Sequence, residues 1–255
     1  MTIQYMSDLH LEFTKNREYL EDIQKEVTGD ILLLAGDIMY LGDTRSHNNQ
    51  FLRWASKNYR QVLMIPGNHE YYQYSDITGN GDSWEKPIMP NVAYYYNKVV
   101  RIDDTDFILT TLWSRISEID EKAVWNGLND FRQILYDGSI LRPKEYNQEH
   151  EKCLRFIREA VGRSTAKYIV VVTHHAPSLQ TVAPEHQTSA LRTAFATDLD
   201  AFIESSRIDY WVYGHSHTNI DCQVGGTKIL CNQMGYVAMG EHRHGFEYNK
   251  CFEIL

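Results

Sequence analysis

The sequence lacks the features of membrane-spanning and secreted proteins. No apolar run approaches the ~20 residues of a membrane-spanning helix. The first residues do not combine a basic region with an apolar one, as a secretion signal does. The four cysteines form no C-x-x-C pair, which predicts unpaired and mostly buried thiols of a reducing compartment. Together these absences predict a cytoplasmic protein with no membrane partner.

Positive charge is also scarce. The 255 residues include 25 Lys and Arg against 34 Asp and Glu, a formal net charge of −9. An acidic surface argues against broad nucleic-acid binding. A small phosphorylated substrate is still compatible with it, because bound metal ions reverse the charge of a pocket. The length and the 43% hydrophobic content predict one domain over residues 1–255, with an insertion or cap at about 114–145, where the pattern becomes irregular.

Short apolar runs alternate with helical patterns in both halves of the chain. Buried strands are predicted at 3–6, 31–35, 62–65, 168–173 and 210–213, helices at 18–27, 49–57, 147–161 and 197–205, and further strands at 94–102, 106–113, 220–224, 227–231 and 251–254. This order predicts an α/β fold, in which two packed sheets with helices outside account for strands and helices in both halves.

Polar residues of the metal-ligand type follow five of the predicted strands. They are Asp8 and His10, Asp37, Asn68 and His69, His174 and His175, and His215 and His217. Each fragment alone has an ordinary interpretation, since Asp37 could cap a helix and Asn68 could be a turn residue. Because sites assemble at the carboxyl ends of strands in α/β sheets, the five fragments together favour a metal site.

The expected donors are carboxylate, carboxamide and imidazole groups, without thiolates. This set suits hard or borderline divalent ions, so we expect Mn²⁺, with Fe, Zn²⁺, Co²⁺ and Ni²⁺ as alternatives. A carboxylate can bridge two ions, and two ions about 3.5–4 Å apart assist displacement at phosphorus. Two divalent ions are therefore the expected cofactors.

Taken in order, the motifs D-x-H, G-D, G-N-H-E, H-x-x-P and G-H-x-H resemble those of the calcineurin-like metallophosphoesterase family. The stretches SDLHLEF, TLWSR, LNDF and NQMGY are similar to a subgroup of small bacterial and phage phosphoesterases. The resemblance implies a four-layer αββα sandwich of two mixed β-sheets flanked by helices. It also implies a dinuclear metal site at the carboxyl ends of the strands.

The resemblance implies a role for each matching residue. One ion would be held by Asp8, His10 and His217, the other by Asn68, His174 and His215, and Asp37 would bridge them. His69 would contact the substrate phosphate, as Asn68 would, and protonate or stabilise the leaving oxygen. His174 is expected as a ligand because it stands first in H-x-x-P, with His175 as the alternative.

One residue departs from the family pattern. Many members have a second Asp in G-D-x-x-D, whereas this chain has Tyr40 there. The departure puts the support of the neighbouring metal ligands in doubt, and not the metal site itself.

The implied reaction is hydrolysis of a phosphate mono- or diester by attack of a metal-bridging hydroxide, with Asp37 and His69 as catalytic residues. No motif separates monoesters from diesters; a diester, with nucleotides as one candidate, is favoured. A nuclease with the same metal site is one alternative, against which the acidic composition counts. A non-catalytic interaction scaffold is the other, against which the complete ligand set counts. The loops at 71–85, 114–142 and 178–192 are expected to set specificity.

Overall fold

The computed structural model describes residues 1–22, 27–43 and 49–255. Its strands are β1 (Thr2–Met6), β2 (Ile31–Ala35), β3 (Gln61–Ile65), β4 (Ser75–Asp76), β5 (Trp84–Met89), β6 (Val92–Tyr96), β7 (Lys98–Ile102), β8 (Thr105–Leu109), β9 (Ile134–Tyr136), β10 (Ser139–Ile140), β11 (Tyr168–Val172), β12 (Tyr210–Tyr213), β13 (Cys222–Val224), β14 (Thr227–Cys231) and β15 (Cys251–Glu253). Its α-helices are α1 (Thr14–Asp22), α2 (Gln50–Asn58), α3 (Glu121–Gly127), α4 (Asp130–Gln133), α5 (Pro143–Arg163) and α6 (Asp200–Glu204).

Two large mixed sheets form the centre of the fold. The first has the strand order β15-β1-β2-β3-β6-β5, in which the four inner strands are parallel and both edge strands antiparallel. The second has the order β13-β14-β12-β11-β8-β7, with the same arrangement of parallel inner strands and antiparallel edges. The strands β10, β9 and β4 form a small third sheet.

Successive side chains of the buried strands point to opposite faces of each sheet, so the core has three apolar layers. One lies between the two sheets, and one lies on the outer face of each sheet. In β2, Leu33 packs between the two sheets with Val170 and Val172 of β11, whereas Leu32 and Leu34 face the opposite side. The helix α2 buries Leu52 on that opposite side, and α5 and α6 cover the outer face of the second sheet. The predicted four-layer αββα sandwich is therefore confirmed.

The sequence prediction was wrong about the strand at 94–102. The structure divides this stretch into β6 and β7, which belong to different sheets. Asn97 lies between them with a φ of 51°, which turns the chain from one sheet into the other. Continuous β-propensity conceals this change, because the residues on both sides of Asn97 suit a strand.

Other differences concern the ends of elements. The first helix begins at Thr14, four residues before the predicted start, and is described as far as Asp22; the predicted part at 23–26 lies outside the described residues. The helix predicted at 197–205 is limited to Asp200–Glu204. The segment at 114–145 contains α3, α4 and the hairpin of β9 and β10, and β9 pairs with β4.

The four cysteines, all within the described ranges, are free thiols, and Cys153 and Cys231 are buried. Among the described residues, no helix combines the length and apolar character that crossing a membrane requires.

Candidate metal centre

The side chains expected to bind metal lie at one end of both large sheets. Asp8, Asp37 and Asn68 follow β1, β2 and β3, which are neighbours in the first sheet. His174 and His215 follow β11 and β12, which are neighbours in the second. Because these strands are parallel within each sheet, their carboxyl ends meet at the same edge.

Three sets of His and Asp side chains could hold a cation among the described residues. In each set the potential ligand atoms lie within 4.8 Å of one another. The sets are Asp8, His10 and His217; Asp37, His174 and His215; and His10, Asp37 and His69. The first set contains the three side chains expected to hold one ion. The second contains His174 and His215, expected at the other ion, together with Asp37, which belongs to two of the three sets.

In the first set, Nε2 of His10 lies 3.1 Å from Nε2 of His217. Nε2 of His217 lies 3.4 Å from a carboxylate oxygen of Asp8. Asp37 comes within 3.9 Å of His10 through its Oδ2 atom. The ring nitrogens and the carboxylate oxygens therefore converge on one small volume.

In the second set, Nε2 of His174 lies 3.3 Å from Oδ1 of Asp37 and 3.1 Å from Oδ1 of Asn68. The His174 and His215 rings are 4.9 Å apart between centroids. The two carboxylate oxygens of Asp37 thus face different sets, which is the arrangement that a bridging ligand requires.

The imidazole nitrogens that face away from these volumes have acceptors. Nδ1 of His10 lies 3.0 Å from Glu12, Nδ1 of His217 lies 2.6 Å from Glu241, and Nδ1 of His174 lies 2.9 Å from the carbonyl of Ala35. Nε2 of His215 lies 3.3 Å from the carbonyl of Ala194. Histidines that bind metal almost always donate their second N–H in this way. The donor set therefore fits divalent cations.

The backbone of these residues is unusual. Five of the seven expected ligands have positive φ: Asp8 (55°), His10 (46°), Asp37 (54°), His215 (77°) and His217 (50°). Non-glycine residues adopt this region infrequently, and such strain concentrates at functional sites. His215 and His217 lie after the end of β12, in left-handed backbone conformations that set the directions of their rings.

Gly214 is required by a close approach of the backbone to Asp8. Its φ is not positive, so it is not required for a tight turn. A Cβ atom there would lie 2.7 Å from Oδ2 of Asp8 and 2.7 Å from Oγ of Ser7. Glycine is needed because the backbone after β12 passes directly over the Asp8 carboxylate. Asp8 in turn accepts a hydrogen bond from the backbone N–H of His215.

His69 is nine-tenths buried beside both sets. Its Nδ1 lies 3.0 Å from Oε1 of Glu12, and its Nε2 lies 3.1 Å from the hydroxyl of Tyr236. Its ring stacks on Tyr72 at a centroid distance of 4.1 Å. Burial lowers the pKa of His69, but the carboxylates of Asp37 and Glu12 outweigh burial and raise it above the usual value. The two carboxylates therefore make the imidazolium form of His69 easier to populate than that of a free histidine.

His175 belongs to none of the three sets of potential ligands, although its ring lies 4.1 Å from that of His215 between centroids. Its Nε2 lies 2.9 Å from the hydroxyl of Tyr146, and its ring contacts Trp113. It is fully buried, and burial lowers its pKa well below the usual range. The geometry thus places His174, and not His175, beside Asp37 and Asn68.

Sequence reasoning assigned no role to four further side chains around the site. Glu12 lies between His10 and His69, Tyr236 contacts His69, and Glu241 contacts His217. Asp130 accepts hydrogen bonds from Asn68 Nδ2 at 2.9 Å and Tyr72 at 2.8 Å. Glu12, Asp130 and Tyr236 stand in the stretches SDLHLEF, LNDF and NQMGY, which were the available signal.

Glu70 supports the turn that carries Asp37. Its carboxylate accepts hydrogen bonds from the backbone N–H groups of Asp37, Ile38 and Gly67 at 2.9, 2.8 and 2.7 Å. Burial, together with the nearby charge of Asp37, raises the pKa of Glu70 to about 7. Glu70 thus holds the backbone on both sides of Asp37 and ties it to the turn before Asn68.

A sequence profile of the calcineurin-like phosphoesterase family matches residues 1–219. The chain therefore belongs to this family. Membership supports a metal-dependent hydrolase of phosphoesters, and the family typically uses two divalent ions. Tyr236 and Glu241, which contact the candidate site, lie beyond the matched region.

Similar proteins cover nearly the whole chain. An uncharacterized protein of Acanthamoeba polyphaga mimivirus is 29% identical over 259 residues, covering 92% of this chain and 91% of that protein. The crystal structure of phosphopantetheinyl hydrolase from Mycobacterium tuberculosis superposes with a TM-score of 0.70 at 16% identity, covering 98% of this chain and 95% of that one. A dimetal phosphatase from Danio rerio gives a TM-score of 0.50 at 13% identity, covering 91% and 87%. Both solved structures support the fold.

Proposed function

We propose that the protein is a dinuclear-metal phosphoesterase. One ion is held by Asp8, His10 and His217, the other by Asn68, His174 and His215, and Asp37 bridges them. We also propose a single domain over residues 1–255, with the segment at 114–145 as an insertion that supplies Asp130 to the site.

One observation carries the proposal: His10, His174 and His217 each have Nδ1 beside an acceptor and Nε2 facing other potential metal ligands. Protons on Nδ1 of His10 and His217 leave two lone pairs facing each other 3.1 Å apart. A cation held by these two rings would relieve that repulsion. The oxygen and nitrogen donors suit Mn²⁺, with Fe, Zn²⁺, Co²⁺ and Ni²⁺ as alternatives.

When bound, the two ions would act as Lewis acids on the phosphoryl oxygens and lower the pKa of the attacking water. The chain itself supplies His69, whose Nδ1 is held by Glu12 and whose Nε2, beside the hydroxyl of Tyr236, would offer its proton to the substrate. Asn68 is oriented by Asp130, which accepts from its Nδ2 and leaves Oδ1 beside His174. His69 thus protonates or stabilises the leaving oxygen, a contribution of about 10²–10⁴-fold.

We favour a phosphodiester substrate, with nucleotides as one candidate class. The test is a panel of p-nitrophenyl phosphate, bis-p-nitrophenyl phosphate and cyclic nucleotides, with manganese added to metal-free protein. We expect release of p-nitrophenol that depends on manganese, with two ions bound per chain. A higher kcat/KM on the diester supports the proposed preference, and a higher value on the monoester contradicts it.

The two alternatives have distinct outcomes in the same assays. Cleavage of DNA or RNA with no turnover of the small esters would favour a nuclease. Metal binding without hydrolysis of any ester would favour a scaffold.

A further inference from the structure

A cavity of about 280 Å³ opens beside the second set of ligands. One side is formed by the chain that follows β11, which contributes Val182, Ala183, Leu191 and Phe195. The other side is formed by Ser216 and Thr218, which follow β12. The lining is mostly apolar, and part of it comes from the loop expected to set specificity.

The cavity shares a wall with the proposed metal ligands. Phe195 lines it and stacks on the imidazole of His215, with ring centroids 4.6 Å apart and planes 25° apart. Ser216 lines it as well and stands between His215 and His217 in the chain. The cavity is thus a direct neighbour of the place where a phosphate would bind.

The size of the cavity suits part of a ligand. Sites for whole small molecules commonly measure about 300–1,000 Å³. The lining carries no carboxylate, and its two basic residues, His186 and Arg192, are at its exposed side. A charged or strongly polar group would lose hydration there without gaining full hydrogen bonding, whereas an apolar group would gain from burial.

We propose that this cavity binds the organic group of the phosphate ester, and that this group is uncharged and mainly apolar. The inference rests on the proposed function, because it requires the phosphate to sit at the metal centre. Within the proposed function it favours esters of alkyl or aryl alcohols over nucleotides, whether the phosphate carries one ester bond or two.

The test is calorimetric binding of methyl-, propyl- and butylphosphonate to manganese-loaded protein. These probes share one anionic group and differ in apolar length, and they are not hydrolysed. Each methylene that is fully buried tightens binding about fourfold, so we expect butylphosphonate to bind up to roughly sixtyfold tighter than methylphosphonate.

Val182→Trp fills the cavity from a partly exposed position, and Val182→Asp places a carboxylate in it. Both variants are expected to reduce the butyl-to-methyl ratio of affinities to nearly one. Thr188→Trp is the matched control, because Thr188 is an exposed residue of the same loop that does not line the cavity. A ratio of dissociation constants is insensitive to a misfolded fraction of the sample.

The outcomes separate the two proposals. If methylphosphonate binds but butylphosphonate binds less than threefold more tightly, the cavity does not hold the organic group. A ratio that persists in both Val182 variants would overturn the inference in the same way. If methylphosphonate itself fails to bind the manganese-loaded protein, the proposed function fails and this inference fails with it.

Discussion

Replacing Glu12 with Gln tests how one carboxylate supports two histidines of the site. Oε1 of Glu12 lies 3.0 Å from Nδ1 of His10 and 3.0 Å from Nδ1 of His69. Burial alone would raise the pKa of Glu12, but its hydrogen bonds with the two rings lower it, so the group is ionised. Gln keeps the shape and one acceptor but removes the charge.

The expected size of the effect follows from the two bonds. A hydrogen bond to a charged group contributes about 1 kcal/mol more than a neutral one. Two such bonds give about 2 kcal/mol, which is roughly thirtyfold. The manganese dissociation constant is expected to increase about fivefold, because His10 loses its charged partner. At saturating manganese, kcat is expected to decrease about a further fivefold, because His69 loses the same partner. The total lies in the range of about 10–100-fold found for residues that support metal ligands.

The assay measures manganese affinity by titration of metal-free protein, and then kcat against pH at saturating manganese. Because the Glu12 charge raises the pKa of His69, its loss should move the alkaline limb of the kcat profile to lower pH. Glu18→Gln, at an exposed position of α1, is the matched control. If Glu12→Gln changes neither manganese affinity nor kcat by more than twofold, Glu12 does not support the two histidines.

Four further predictions follow from single side chains. His69→Ala should retain both ions and lose about 10²–10⁴-fold in kcat, because it removes only the proton donor; metal analysis and steady-state kinetics check this. Asp37→Ala should empty both metal positions, because it removes the shared ligand, as measured by metal content after dialysis. Asp130→Asn should weaken one of the two ions by about 10–100-fold, because Asn68 loses its charged acceptor; stepwise manganese titration checks this. Burial lowers the pKa of His150 in the folded protein. As the pH falls below about 6.5, the unfolded chain therefore gains a proton on His150 that the folded protein does not. The free energy of unfolding of the wild type should then decrease, relative to that of His150→Gln, by at most about 1.4 kcal/mol per pH unit.

Each of these predictions has a contrary result. Loss of metal from His69→Ala would make that histidine a ligand and not an acid. Two ions retained by Asp37→Ala would show that the bridge is assigned wrongly. Equal weakening of both ions in Asp130→Asn would point to a general loss of structure, and exposed Asp137→Asn in the same segment is the control. Identical acid unfolding of wild type and His150→Gln would show that His150 titrates alike in both states.

The fold class was predictable because its strands are marked by burial on both faces. The run at 31–35 is apolar throughout, and β2 occupies those residues between two neighbouring strands. Where the local signal is continuous across a change of sheet, as at Asn97, the sequence misleads. That change depends on which distant strand each half pairs with, and local propensity carries no information about pairing.

For the site, the order of motifs along the chain determined which side chains would converge, because parallel strands bring their carboxyl ends to one edge. The tertiary structure alone decided how those side chains are held. Asp130 reaches Asn68 across 62 residues of chain, and Tyr236 reaches His69 across 167. Such contacts arise from the packing of the 114–145 segment and the C-terminal region onto the strand ends. No spacing rule connects residues that far apart, since only the folded backbone fixes the distance between them.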